Sequence, residues 1–299
     1  MTAVLQSGLV VGAHGRHCVV EDPQGQRHHC HGRGKKSDLV VGDRVQWRTS
    51  GDEGVVERID ERRNLLHRQD EWKTKSFAAN LDRLLVLVAV QPMFSESQLA
   101  RALIAAHFAG IDVQIVLNKV DLEGADAARE RLAPYRAMGI PLHELSLKKE
   151  PDAARALLEP LLAGHTTLVL GPSGMGKSTL INLMLPDAAA QVGEISLALN
   201  TGRHTTTTTT WYWLNPARSA ALIDSPGFQE FGIRQVAAAD LSKHMPDFAA
   251  HIGQCRFYNC SHLHEPGCAV RAAQERGEIS AQRYRIYEQL MEEASRTRW

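Results

Sequence analysis

Gly171-Pro172-Ser173-Gly174-Met175-Gly176-Lys177-Ser178 follows the apolar run Thr166-Thr167-Leu168-Val169-Leu170 and opens a helical pattern from Lys177 to Leu185. A Gly-x-x-x-x-Gly-Lys-Ser stretch between a strand and a helix is the setting of a phosphate-binding loop. Its glycines let backbone N–H groups turn inward, Lys177 is placed to reach the β and γ phosphates, and Ser178 offers a hydroxyl to Mg2+. Thr179 closes the expected phosphate-contacting run, and the positive end of the helix favours the charge it meets. The loop alone does not choose between ATP and GTP.

Base choice is read upstream. Asn118-Lys119-Val120-Asp121 ends the strand-like run Val113 to Leu117, where open α/β sheets bind ligands. The Asp121 carboxylate can accept from guanine N1 and the exocyclic amine, a donor pair adenine lacks. The Lys119 stem can lie along the base, Asn118 can tie this loop to the phosphate loop, and Ser146-Leu147-Lys148 is a turn that can back the base. In an unpermuted guanine-nucleotide fold the base motif comes last; here it precedes the phosphate loop. The inverted order implies a circularly permuted sheet, which proteins tolerate when the original ends lie close together.

Asp224-Ser225-Pro226-Gly227 ends a further apolar strand, so Asp224 can hold Mg2+ through water and the Gly227 N–H can sense the γ phosphate. Between the two loops lies Gly202-Arg203-His204 followed by the run Thr205 to Thr210. One early hydroxyl, assigned to Thr206 with Thr205 as the alternative, is expected to complete the Mg2+ shell with Ser178 and Asp224. The later threonines suit a strand continuing into Trp211-Tyr212-Trp213-Leu214. Phe228 stands where many small GTPases carry the Gln that orients water, so intrinsic turnover is expected to be slow. The expected catalytic set is Lys177, Thr206, His204 and Gly227, with His204 or a partner's group positioning the water.

The chain has 299 residues, enough for a main domain and smaller ones, and its 34 Lys+Arg balance 34 Asp+Glu. Any nucleic-acid contact must therefore come from local patches. The first residues lack a cationic segment ahead of an apolar one, and no apolar run reaches about 18 residues. A cytoplasmic monomer with no membrane segment is the expectation. Residues 1–70 alternate short apolar stretches with glycine-bearing turns, the pattern of a small all-β barrel. Within them Arg27-His28-His29-Cys30-His31-Gly32-Arg33-Gly34-Lys35-Lys36 reads as a basic loop, either ordinary solvated surface or a contact for phosphate. A polar junction runs from Arg62 to Lys75. Unalternating strand runs separated by single helices over 71–238 describe a parallel α/β sheet. Residues 239–299 end in a helix whose Tyr284, Tyr287, Leu290 and Met291 share one stripe.

Of five cysteines, three cluster late, in Cys255-x4-Cys260-x-His262-x5-Cys268. Three thiolates and an imidazole suit tetrahedral Zn2+, and four protein ligands leave no open position, so one structural Zn2+ is expected. His251 and His264 are alternatives to His262.

Taken together, the chain resembles the ribosome small-subunit-dependent GTPase family RsgA, also called YjeQ. The resemblance rests on Val41-Gly42-Asp43-Arg44-Val45, Arg62-Arg63-Asn64, the permuted Asn118-Lys119-Val120-Asp121, Gly202-Arg203-His204-Thr205-Thr206-Thr207, Asp224-Ser225-Pro226-Gly227-Phe228 and the zinc cluster. It implies an N-terminal OB-fold barrel, a circularly permuted P-loop GTPase domain and a C-terminal zinc-binding domain with helices. It also implies GTP hydrolysis to GDP during late maturation of the 30S ribosomal subunit, contact with its 16S rRNA, and stimulation by that subunit. A GTP-gated RNA-binding module with incidental hydrolysis is the competing reading, whereas Asp121 argues against an ATP-driven protein.

Overall fold

The computed structural model describes residues 4–33, 38–69, 74–186, 209–225 and 233–296. Five strands, β1 (Gln6–His14), β2 (His17–Glu21), β3 (Arg27–Gly32), β4 (Arg44–Ser50) and β5 (Glu53–Ile59), run in spatial order β1-β2-β3-β5-β4. The barrel closes because β4 pairs back onto β1, Gln6 opposite Trp47 through Leu9 opposite Arg44. Closure leaves no exposed strand edge. Val10, Cys18, Val20, Cys30, Val45, Trp47 and Val56 fill its interior.

The basic stretch is not the loop expected of it. Arg27–Gly32 is strand β3, flanked by β2 and β5. Its charges are answered from neighbouring strands: Arg27 pairs with Glu21 at 3.3 Å, His28 with Asp22 at 2.9 Å, and Arg33 beyond the strand with Glu57 at 2.5 Å. Acids from outside the run, two of them just ahead of it in sequence, thus answer a stretch that contains none, while residues 34–37 lie outside the described residues.

Likewise, the polar junction contains a hairpin, β6 (Leu65–Gln69) and β7 (Thr74–Ala79). Six more strands form the nucleotide sheet: β8 (Arg83–Ala89), β9 (Asp112–Asn118), β10 (Leu142–Leu145), β11 (Thr166–Leu170), β12 (Thr209–Trp213) and β13 (Ala221–Asp224). Their order is β10-β9-β8-β11-β13-β12; the first five are parallel, and β12 is antiparallel to β13. Helices α1 (Glu96–Ala109), α2 (Ala125–Ala137), α3 (Pro151–Leu162) and α4 (Lys177–Met184) supply the crossovers that parallel pairing requires. The free edge of β12 pairs with β1 through Thr210 opposite Gly12 and Thr209 opposite Ala13, making the barrel and nucleotide sheets one continuous 11-stranded sheet.

Helix α1 starts where the Ser95 hydroxyl accepts from the Gln98 N–H, and ends at Gly110 in the left-handed conformation. It is buried on two sides. Leu99, Leu103 and Ala106 join the sheet core, whereas Ala100 and Ile104 join a separate core with Phe248, Tyr287 and Leu290. That second core belongs to a C-terminal region of two 3-10 helices (Ala238–His244 and Pro246–Phe248), α5 (Ala269–Glu275) and α6 (Ala281–Arg296). The expected stripe on α6 packs inward, with Tyr284, Tyr287 and Leu290 buried and Met291 partly so. Arg283, fully buried, pairs with Asp247 at 2.9 Å and lies over the Tyr135 ring of α2.

A polar clip holds the barrel against the nucleotide sheet. Arg62 grips the fully buried Asp43 through Nε at 2.7 Å and Nη2 at 2.9 Å, while Asp43 also accepts from the Val40 N–H. Asn64 exchanges two bonds with the backbone of Leu81, and Asn80 donates to the Gly42 carbonyl. Gly42 sits at φ +92 with the Ala79 carbonyl 2.1 Å from where a Cβ would stand, so only glycine fits. Removing one partner of a buried pair leaves an uncompensated charge. Arg62→Ala is therefore expected to destabilise the chain by about 3 kcal/mol, read as a lower unfolding temperature.

Candidate functional site

Parallel strands place their following loops at one end of the sheet, and there the structure gathers the segments singled out above. A cavity of about 640 Å3 lies among them. It is lined by Asn118, Lys119 and Asp121 of the base loop, by Leu147 and Lys148, by Ser173, Gly174, Gly176, Lys177, Ser178 and Thr179 of the phosphate loop and its helix, and by Asp224 and Ser225. Of the remaining expected positions, Gly171 and Pro172 directly follow β11, Met175 is buried under the loop, and Ser146 holds the base turn. His204, Thr205, Thr206, Gly227 and Phe228 lie outside the described residues.

Asn118 is the joint of the site. Only 2% exposed, it donates from Nδ2 to the Met175 carbonyl at 2.8 Å, while its Oδ1 accepts from the Lys119 N–H at 2.8 Å and the Leu147 N–H at 3.1 Å. One carboxamide thus satisfies polar groups from three segments. Gly176, at φ +109, makes the approach possible: a Cβ there would stand 2.4 Å from Asn118 Nδ2.

Lys119 takes a positive φ of 64 and donates from Nζ to the carbonyls of Gln91 at 2.5 Å and Gly174 at 2.9 Å. These bonds lay its stem across the mouth of the cavity. The Ser146 hydroxyl donates to Asp121 Oδ1 at 2.6 Å and accepts from the Asp121 N–H at 3.2 Å, leaving Oδ2 for a ligand. The Gln91 carbonyl carries no sequence signal, because any residue could supply it.

Lys177 donates to the carbonyls of its own loop, Gly171 at 2.6 Å and Pro172 at 3.0 Å. Burial lowers its pKa, against the attraction of Asp224. Burial also raises the Asp224 pKa to about 6, opposed by Lys177 and by a bond from the Ser225 backbone. The Ser225 hydroxyl anchors this strand end by donating to the Val169 carbonyl at 2.7 Å.

A second cluster lies in the C-terminal region. The ligand atoms of Cys255, Cys260, His262 and Cys268 all fall within 4.8 Å of one another. His262 Nδ1 is 3.5 Å from Cys255 Sγ and 3.4 Å from Cys268 Sγ, and those two sulfurs are 3.9 Å apart. Zinc–sulfur bonds of about 2.3 Å in a tetrahedron put sulfurs about 3.8 Å apart, so the donor set fits Zn2+. His251 instead faces Glu278 and His264 is exposed, which leaves His262 as the imidazole. Backbone N–H groups of Ala269 and Arg271 point at Cys255 and Cys268, and the Tyr284 and Tyr287 hydroxyls hold the carbonyls of His262 and Ser261.

The RsgA GTPase family matches residues 59–234. A curated relative, the small ribosomal subunit biogenesis GTPase RsgA of Variovorax paradoxus (strain S110), is 58% identical over 99% of this chain and 95% of its own length. The chain belongs to the RsgA GTPase family. The RsgA of Burkholderia pseudomallei (strain K96243) is 55% identical over 96% of this chain and 92% of its own. Among solved structures, YjeQ from Thermotoga maritima superposes with a TM-score of 0.74 at 29% identity, covering 99% of this chain and 100% of that one. YloQ, described as a circularly permuted GTPase, gives 0.70 at 27%, covering 99% and 97%. The chain is thus a GTP hydrolase with the permuted RsgA architecture: its base loop follows β9, its phosphate loop follows β11, and both line the cavity.

The RsgA site carries a pH signature. With its folded pKa raised to about 6 from an ordinary 3.8, Asp224 keeps its proton in the folded chain over a range where an unfolded chain has lost it. The resulting stability is present at low pH and is lost as pH rises through about 6. Asp224→Asn is therefore expected to raise the unfolding temperature of the nucleotide-free protein at pH 7.5 and to leave it nearly unchanged at pH 4, while abolishing Mg2+-dependent GTP turnover. Thermal melts at both pH values check the first part and a phosphate-release assay the second. For the Cys3His cluster, Cys268→Ser is expected to reduce bound zinc from about one per chain to near none and to loosen α6, measured by metal analysis and hydrogen exchange.

Proposed function

We propose that this chain binds GTP with Mg2+ in the cavity between Asn118 and Lys177, hydrolyses it to GDP and phosphate, and uses that cycle in late maturation of the 30S ribosomal subunit. The observation that carries the nucleotide part is Asn118 binding the phosphate loop and the base turn at once. Asp121 and Lys177 both line the cavity beside that contact, which supports one nucleotide reaching from the base turn to the phosphate loop. The subunit part is supported by relatives at 58% and 55% identity that are named small ribosomal subunit biogenesis GTPases. Contact with 16S rRNA, a monomeric state, a cytoplasmic location and the division into 1–70, 71–238 and 239–299 belong to the same reading. No helix among the described residues is long and apolar enough to cross a membrane.

In this reading Asp121, oriented by Ser146, accepts from guanine, and Lys119 covers the base face. The N–H groups from Gly171 to Thr179 wrap the phosphates, and Lys177 exchanges its two carbonyl partners for phosphate oxygens. Ser178, Thr206 and Asp224 would hold Mg2+, which supplies neutralisation of the charge spread over the phosphoryl oxygens. Water attacks the γ phosphorus in line, with His204 positioning it and the Gly227 N–H sensing the phosphate; these two roles and that of Thr206 rest on sequence. Cys255, Cys260, His262 and Cys268 would hold Zn2+ as a structural pin without taking part in hydrolysis.

Purified 30S subunits are expected to raise GTP turnover, with 50S subunits as the control. Asp121→Asn is expected to lower GTP affinity by at least about tenfold and to move preference toward xanthine nucleotides. Equal turnover with and without 30S would remove the ribosomal part; unchanged GTP affinity in the variant would remove the base assignment.

A further inference from the structure

Four of the five tyrosines, Tyr135, Tyr212, Tyr284 and Tyr287, are no more than 8% exposed, whereas Tyr258 is fully exposed at 103%. Its neighbour Phe257 is 40% exposed. Both sit in Arg256-Phe257-Tyr258-Asn259, a wholly exposed tip between Cys255 and Cys260 of the Cys3His cluster. Tyr258 is fully and Phe257 partly exposed, and adjoining exposed apolar surface of this kind marks a contact site.

The tip is also held in place. Its two ends are donors to the metal-fitting cluster, the Arg256 N–H donates to the Gly267 carbonyl at 3.0 Å, and the Cys260 N–H donates to the Phe257 carbonyl at 3.3 Å. Rings presented by a fixed backbone lose little conformational entropy when something covers them. The Arg256 guanidinium lies 5.6 Å from the Phe257 ring centre, and no carboxylate pairs with Arg256 among the described residues. The nearby acid, Glu265, is turned inward to the Ser261 and His264 N–H groups. The surface therefore combines flat π-faces with a cation lacking a partner, a combination complementary to a polyanion that carries its own flat faces.

We propose that Phe257 and Tyr258 form a stacking platform for unpaired RNA bases, with Arg256 engaging an adjacent phosphate. The proposal rests on the ribosomal reading above for the presence of RNA and adds the face that meets it. Stacking accepts any base, so this contact contributes affinity and position without sequence preference.

The test measures binding of the full-length, zinc-loaded protein, with a non-hydrolysable GTP analogue, to purified 30S subunits and to protein-free 16S rRNA. The double variant Phe257→Leu/Tyr258→Leu keeps apolar bulk and loses the π-faces; it is expected to bind both at least about tenfold more weakly. Tyr258→Phe is expected to bind like the parent, and Arg256→Ala to reduce the slope of log affinity against log salt by about one. Zinc content and GTP turnover without ribosomes are expected to be unchanged in all three. Parental affinity in the double variant would overturn the proposal, as would a loss confined to whole subunits, which would assign the tip to a ribosomal protein. Failure of the parent itself to bind 30S would instead overturn the ribosomal reading on which the proposal stands.

Discussion

A single carboxamide organises this active site. Asn118 terminates β9 inside the sheet, where every polar atom must find a partner, and its partners come from three segments of chain. Because its Oδ1 and Nδ2 face different loops, the base turn and the phosphate loop cannot move apart without exposing buried polar groups. The geometry of a guanine site is therefore built into the chain before any nucleotide arrives. Gly176 is the other half of this arrangement, since any side chain there would occupy the place of the amide.

Permutation is compatible with this because the joint depends on spatial neighbours and ignores their order in the chain. What permutation changes is the environment of the ends. The nucleotide sheet is followed by a C-terminal region that packs on the outer side of α1, so that one helix is shared by two cores. The buried Arg283–Asp247 pair against Tyr135 ties the same region to α2. A helix with apolar residues on both sides cannot rotate or slide without disturbing both cores, and this gives the GTPase domain and its C-terminal partner a common reference surface.

Much of this was legible in the sequence, and the reason is chemical. Phosphate loops, base-recognition tetrapeptides and thiolate clusters each need particular residues at short, fixed spacings, so they survive reading in one dimension. His262 was the imidazole read from the spacing and is the one that joins the three thiols, but His251 and His264 stayed open as alternatives because imidazoles at similar spacings differ only in where the chain turns. Strand β3 was misread as a basic loop for a related reason: Glu21 and Glu57, which neutralise Arg27 and Arg33, arrive from other strands. The antiparallel direction of β12 and its pairing to β1 were equally invisible, since β propensity carries no direction. Backbone partners such as the Gln91 carbonyl leave no trace at all.

Among the described residues the seam between β12 and β1 shows two residue pairs, and it joins the strand that carries the last two threonines of the run to the first strand of the barrel. With so few pairs in this weld, the hydrogen bonds of Arg62, Asn64 and Asn80 form the second tie between the barrel and the nucleotide sheet. Thr210 thus stands between Gly12 of the barrel and Asp224 of the nucleotide pocket, so a shift of β12 would reach the barrel through the backbone ladder itself.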